Sequence, residues 1–195
     1  MIAGFADPVL GAQSSFRALL HALSHPGSIL QLPHAPEAPA PLNPAAGALA
    51  LALCDADTTL WQDGGAAVAE WLRFHTGAPV APLHEARFVI ASGVPPALAG
   101  LALGNDEAPQ DGATLLLQVA DLATAPGWHL TGPGIETSTE LRVTGLPAGF
   151  VAERAALERL FPRGLDIVLC AGARIAALPR TTRIVAPEAC QGQEA

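Results

Sequence analysis

The sequence predicts an α/β domain of three layers, in which one mixed sheet is covered by helices on both faces. Helical apolar repeats fill the first half of the chain, whereas strand-like segments dominate the second half. Two of these strands contain the unbroken apolar runs 115–117 and 167–169, which are typical of strands buried on both faces of a sheet.

The first half of the chain contains three predicted helices. Four large apolar residues share one face of the first, which begins near Asp7 and ends before Pro26: Phe16, Leu19, Leu20 and Leu23. Pro26 and Gly27 predict a type II turn. Asn43 is the predicted N-cap of a buried helix over residues 45–54. A third helix is expected over residues 66–75.

Two further helices and a set of short strands complete the prediction. A Pro-led helix is expected near residues 96–103, and another runs from Phe150 to Phe161, where Pro162 ends it. The predicted strands cover residues 28–32, 58–61, 87–91, 114–120, 128–131, 141–144, 167–171, 174–178 and 183–185.

Length and composition predict one domain over residues 1–195, with an ordered core at about 5–186 and a flexible tail at 187–195. Half of the residues are hydrophobic, so the chain can bury a large core. Its formal charge is -8, which gives no positive field for a polyphosphate backbone. Nucleic acid is therefore not an expected partner.

All ten basic residues are Arg, from Arg17 to Arg183, and the chain has no Lys. A lysine Schiff base with pyridoxal phosphate is thereby excluded. The three Cys residues are far apart in the sequence and form no CxxC pair. Neither a metal centre nor a cofactor is expected. The longest apolar run, residues 45–54, is too short to span a bilayer, so we expect a cytoplasmic protein without a membrane partner.

Three short motifs have an ordinary structural explanation beside a functional one. His21 and His25 have the spacing of a helical metal pair, but the Glu of HExxH is missing. Asp55 and Asp57 could bind a divalent ion, although the same residues commonly form turns. The segment 132–134, Gly-Pro-Gly, is either a tight turn or a loop that faces a ligand.

Two clusters are candidate anion sites. Arg180, Thr181 and Thr182 follow an apolar strand and could surround phosphate or phosphonate oxygens. The alternative is that Arg180 forms a structural ion pair with Asp166. Arg73 and His75 form a similar cluster at the end of the third helix, where the helix dipole favours cations in any case. No catalytic residue can be assigned.

Seven stretches together resemble one family. In order they are residues 15–20 with 24–27, 55–58, 72–76, 112–115, 130–135, 161–166 and 178–182. Their order and spacing are similar to those of the H subunit of the bacterial carbon-phosphorus lyase system, the PhnH family. The resemblance extends from about Phe5 to Val185.

This resemblance implies a subunit of the machinery that releases phosphorus from alkylphosphonates. The expected partners are a second copy of the chain and the G, I and J subunits of a core complex. With the G, I and L proteins, the H subunit supports the step in which a phosphonate displaces adenine from ATP. The product is ribose 1-phosphonate 5-triphosphate. ATP and phosphonate are the candidate ligands, and the isolated chain is expected to be inactive.

The resemblance also implies a fold like the large domain of pyridoxal-phosphate-dependent transferases. Because the chain lacks Lys, it would keep that fold without its chemistry. The alternative to a ligand-binding subunit is therefore a non-catalytic dimeric scaffold that has no ligand site of its own.

Overall fold

The computed structural model describes residues 2–187, so residues 188–195 of the predicted tail lie outside the described part. The helices are α1 (Pro8–Ser24), α2 (Pro44–Leu53), α3 (Ala66–Thr76) and α4 (Phe150–Ala156). The strands are β1 (Leu30–Gln31), β2 (Leu60–Gln62), β3 (Phe88–Ala91), β4 (Thr114–Gln118), β5 (Asp121–Thr131), β6 (Thr139–Thr144), β7 (Asp166–Ala171), β8 (Arg174–Leu178) and β9 (Arg183–Val185).

Two sheets organise the fold. The larger has six strands in the order β1-β8-β7-β4-β3-β2, with β2, β3, β4 and β7 parallel. β8 runs antiparallel to both β7 and β1. The smaller sheet is antiparallel, in the order β6-β5-β9. The prediction of an α/β protein with a mixed sheet is therefore confirmed.

The layers on the two faces of the large sheet differ. On one face, β-strand residues such as Leu116 and Val168 pack against the helical residues Leu49 and Trp71. On the other face, Leu115 and its neighbours pack against the small sheet and α4. The prediction of helices on both faces is thus only half right, because alternate strand residues meet helices on one side and mainly a second sheet on the other.

The apolar face predicted for α1 is divided between core and surface. Leu19 is 4% exposed, whereas Phe16 is 46% and Leu20 50% exposed. The buried side of α1 consists mostly of small residues: Gly11, Ser15 and Ala22, together with Leu19. Leu19 and Ala22 pack in one core cluster with the Ala-rich α2, whereas Gly11 lies against the ring of Phe5. The bulkier residues Phe16 and Leu20 remain on the surface.

Two other predicted helices are shorter than expected. Over residues 96–103 there is only a 3₁₀ turn, Leu98–Gly100. The helix predicted from Phe150 to Phe161 divides into α4 and the 3₁₀ turn Glu158–Leu160.

The type II turn predicted at Pro26 and Gly27, after α1, is confirmed. Ser28 N–H donates to His25 O over 3.1 Å, and Gly27 has φ +88.

Within residues 2–187, no helix combines the length and the apolar character needed to cross a membrane.

Candidate anion-binding site

An open cleft of about 550 Å³ lies where the small sheet meets the segment after β8. The residues that line it come from three separate stretches of the chain: Thr131, Gly132, Pro133, Glu158, Phe161, Arg180, Thr181 and Arg183. The fold thereby brings together two motifs that are distant in sequence, the 132–134 loop and the 178–182 segment. Neither motif alone indicated that the other would be its neighbour.

The segment after β8 is a reverse turn. Thr182 N–H donates to Pro179 O over 2.9 Å, which places Arg180 and Thr181 at the tip of the turn. Gly132 has φ +136, and a Cβ atom at this position would lie only 2.8 Å from Thr181 O. Glycine is therefore required for the 132–134 loop to approach the turn and form the wall of the cleft.

Arg180 is held by structural contacts on the inner side of the cleft. Its Nη2 lies 2.7 Å from Asp166 Oδ2, and Asp166 Oδ1 also accepts from the Arg180 backbone N–H over 2.9 Å. Its Nη1 donates to the carbonyl oxygens of Pro109 and Pro162. The guanidinium thus joins β7, the end of β8 and two loops, so the structure contains the Asp166–Arg180 pair that the sequence suggested.

Four polar side chains of the cleft make no hydrogen bond or ion pair with the described residues, namely Thr131, Glu158, Thr181 and Arg183, and the cation among them is Arg183. Arg183 is exposed on β9, and no carboxylate of the described residues lies within 4 Å of it. Thr181 is half-buried and precedes Thr182, which is fully buried and does not line the cleft. A guanidinium and a hydroxyl that face one cleft can donate to the oxygens of a phosphate or phosphonate.

The buried residue Arg154 also contributes to this site, although the sequence patterns considered above did not single it out. Arg154 is 2% exposed, and its Nη2 donates to Pro179 O over 3.0 Å and to Thr182 O over 3.3 Å. Its position was implicit in the sequence, because Phe150, Arg154 and Leu157 are spaced i, i+4, i+7 on the buried face of one helix. A charged residue at a position predicted to be buried is the signal that could have identified it.

Arg73 and His75 lie away from this cleft, on α3. His75 Nε2 is 3.2 Å from Ile2 O, and its ring packs against Trp71 and Phe74. Arg73 is exposed near the end of the same helix. The structure therefore does not join this cluster to Arg180 and Thr181, and His75 instead anchors the N-terminal segment.

The remaining motifs have structural roles. The rings of His21 and His25 stack with centroids 4.4 Å apart. Asp55 Oδ1 accepts from Asp57 N–H over 3.0 Å, as in an Asx turn.

Burial raises the pKa of Cys54 to about 12, so this thiol stays protonated at neutral pH. Residues 2–187 contain no group of three or more His, Cys, Asp or Glu side chains placed to hold a metal ion.

Comparison with known proteins defines the class: residues 3–185 match the family of bacterial phosphonate metabolism proteins. One relative, from Rhizobium meliloti, is alpha-D-ribose 1-methylphosphonate 5-triphosphate synthase subunit PhnH. It is 40% identical over 186 residues, which cover 92% of this chain and 93% of the relative. HtxG of Stutzerimonas stutzeri, which is named for a C-P lyase subunit, is 35% identical over 88% of this chain and 85% of its own length. The chain belongs to the PhnH family.

Proposed function

We propose that the chain serves as the PhnH subunit of an α-D-ribose 1-methylphosphonate 5-triphosphate synthase and acts with the other C-P lyase subunits in the cytoplasm. The observation that supports this most directly is the family match over nearly the whole chain, together with 40% identity to a subunit of that name. The reaction would be the displacement of adenine from ATP by an alkylphosphonate. Both substrates carry phosphorus-bound oxygens that a guanidinium can bind.

We further propose that the cleft lined by Arg183, Thr181 and Gly132 holds one of these anionic groups. Arg183 supplies two N–H groups in a planar fork, and Thr181 adds a hydroxyl donor. Arg180 keeps its contacts with Asp166, Pro109 and Pro162 and adds its positive charge to the lining of the cleft. The exposed ring of Phe161, on the rim of the cleft, offers an apolar surface beside the charged groups.

Arg183→Met should weaken binding of tripolyphosphate by about tenfold or more, because a charge-assisted contact to an anion is lost in a partly enclosed cleft. Isothermal titration measures the affinity. In the organism that encodes the chain, the same substitution should slow growth on methylphosphonate as the only phosphorus source. Arg142→Met is the matched control, since it removes an exposed Arg from β6 outside the cleft. Equal affinity in both variants and the wild type would remove Arg183 from the site.

A scaffold role is the second candidate, and the surface of α1 favours it. Val9, Phe16 and Leu20 are 79%, 46% and 50% exposed. Val9, Gln13, Phe16 and Leu20 follow one another at intervals of four, three and four residues, so they form one stripe along the surface of the helix. We propose that a second copy of the chain covers this stripe in an antiparallel helix pair. That arrangement brings Asp7, at the start of one α1, near the histidines at the end of the other.

Leu20→Glu should convert a dimer into a monomer, because it places a charge within the proposed apolar contact. Light scattering on a sizing column measures the mass. Val94→Glu is the control, since Val94 is 76% exposed and lies far from α1 in the sequence. A dimer that persists in Leu20→Glu would contradict this interface, and a monomeric wild type would contradict self-association.

We also propose that the fold resembles the large domain of pyridoxal-phosphate-dependent transferases. The absence of Lys from the chain supports a role in which that fold binds partners or an anion without imine chemistry. The G, I and J subunits are the proposed partners, because the related protein is itself named as one subunit of a synthase.

A further inference from the structure

Arg154 is buried without a matching carboxylate. Its side chain is among the largest that are fully buried, and none of the described residues places an acidic oxygen within 4 Å of it. Its Nε–H also finds no acceptor among these residues. Burial lowers the pKa of the guanidinium below its ordinary value, although Glu158 and Asp166 act in the opposite direction.

This arrangement is costly if its only role is to stabilise the fold. Moving a cation out of water carries a penalty that carbonyl oxygens repay only in part, and apolar residues of similar volume are often at least as stable in such positions. A Met at position 154 would fill the space between α4 and the turn without that penalty. The contacts that Arg154 makes therefore indicate what its charge contributes.

Both contacts of Arg154 are to the ends of one turn. A single nitrogen, Nη2, donates to the carbonyl oxygens of Pro179 and Thr182, the first and last residues of the turn that carries Arg180 and Thr181. Arg183, the exposed cation of the cleft, follows immediately in the chain. Arg154 thus contacts both ends of the turn from which the Arg180 and Thr181 side chains project, and Arg183 lies one residue beyond that turn.

Arg154 also alters the charge balance beneath the cleft. Among the described residues Arg180 pairs with Asp166, whereas neither Arg154 nor Arg183 has a carboxylate within 4 Å, and Glu158 is the one acidic residue that lines the cleft. The excess positive charge occurs in a chain whose formal charge is -8. A bound phosphate or phosphonate would balance this excess.

We infer that Arg154 is a positioning residue for the anion site: it clamps the Pro179–Thr182 turn so that Thr181 and Arg183 converge on a phosphorus-bound oxyanion. This inference rests on the proposed function of the cleft. It extends that proposal by assigning the orientation of the turn to a side chain that does not itself line the cleft.

The test compares Arg154→Met, Arg154→Lys and the control Arg159→Met by titration with tripolyphosphate and by thermal unfolding. Arg154→Met should keep a Tm close to that of the wild type and bind the anion at least tenfold more weakly. Arg154→Lys should bind the anion with an affinity between those of the wild type and Arg154→Met, because its compact ammonium can reach a carbonyl but lacks the planar fork. Arg159→Met should bind within about twofold of the wild type, since it removes the same charge from an exposed site nearby.

The possible results distinguish the positioning role of Arg154 from anion binding by the cleft itself. Wild-type affinity in Arg154→Met overturns the inference and leaves the cleft intact, provided that Arg183→Met still weakens binding. Equal weakening by Arg154→Met and Arg159→Met also overturns it, because overall charge would then be the cause. If Arg154→Met does not fold, Arg154→Lys decides: wild-type affinity overturns the inference, whereas weaker binding in a folded protein supports it. A wild-type chain that binds no tripolyphosphate overturns both proposals.

Discussion

Arg180→Ala should destabilise the protein by about 3 kcal/mol, at the low end of the ~3–5 kcal/mol expected when one partner of a buried ion pair is removed. The Arg180 side chain is 15% exposed and that of Asp166 28%, so solvent compensates only part of the loss. The substitution leaves the Asp166 carboxylate without its cation and the carbonyl oxygens of Pro109 and Pro162 without their donor. Urea unfolding measures the change in the free energy of unfolding.

Arg163→Ala is the matched control for this experiment. Arg163 also pairs with an aspartate, Asp106, at 3.1 Å, but their side chains are 39% and 78% exposed. An exposed pair of this kind contributes less than about 1 kcal/mol. If Arg180→Ala cost no more than Arg163→Ala, Arg180 would not be a structural residue, and its guanidinium would be free for a ligand.

Arg180→Lys separates structure from binding at this position. Lysine retains the charge but cannot reach the carboxylate and both carbonyls in one plane. We expect intermediate stability together with anion binding close to that of the wild type, because Arg183 and Thr181 make the principal proposed contacts. A stable Arg180→Lys protein that fails to bind tripolyphosphate would show that Arg180 contacts the ligand directly.

Phe150→Ala should also produce a large loss, about 3–5 kcal/mol, which is typical of a truncated core aromatic. Phe150 is 1% exposed, and its ring stacks on that of Trp128 at a centroid distance of 5.7 Å. It is the first residue of α4 and fixes that helix on the small sheet. Its removal leaves a cavity between these elements and loosens the helix that carries Arg154. Urea unfolding again measures the change.

Phe74→Ala is the control for the core substitution, because Phe74 is 68% exposed on α3. Its truncation should change the stability by less than about 1 kcal/mol. Equal losses in Phe150→Ala and Phe74→Ala would contradict the placement of α4 on the small sheet. A large loss in Phe150→Ala alone, accompanied by weaker anion binding, is the expected result.

Local patterns were sufficient to predict most individual elements. The Asn43 side chain caps α2 by accepting from Ala46 N–H over 2.9 Å, as the Asn-Pro pair indicated. The apolar run at residues 115–117 lies in β4, a central strand with core on both faces. The cap was predictable because it joins residues three apart in the chain, and the strand because an unbroken apolar run is typical of burial on both faces of a sheet.

The parts that the sequence did not predict depend on packing partners that are distant in the chain. The apolar repeat of α1 predicted that Phe16, Leu19 and Leu20 share one face, but it could not reveal which of them would be buried, and Phe16 and Leu20 are exposed. Arg154 was not singled out, because its acceptors Pro179 and Thr182 are more than twenty residues away in the chain. Arg73 and His75 resembled an anion site by composition alone, and their helix lies outside the cleft.

Reconstitution of the synthase reaction tests the central claim most directly. ATP and methylphosphonate are incubated with the G, I and L proteins of the same organism, with and without this chain, and adenine release is measured by chromatography. We predict that adenine and a ribose phosphonate triphosphate accumulate only when the chain is present, and that Arg183→Met reduces the rate where Arg142→Met does not. If the same amounts of adenine and ribose phosphonate triphosphate formed in the absence of the chain, its role as a synthase subunit would be contradicted.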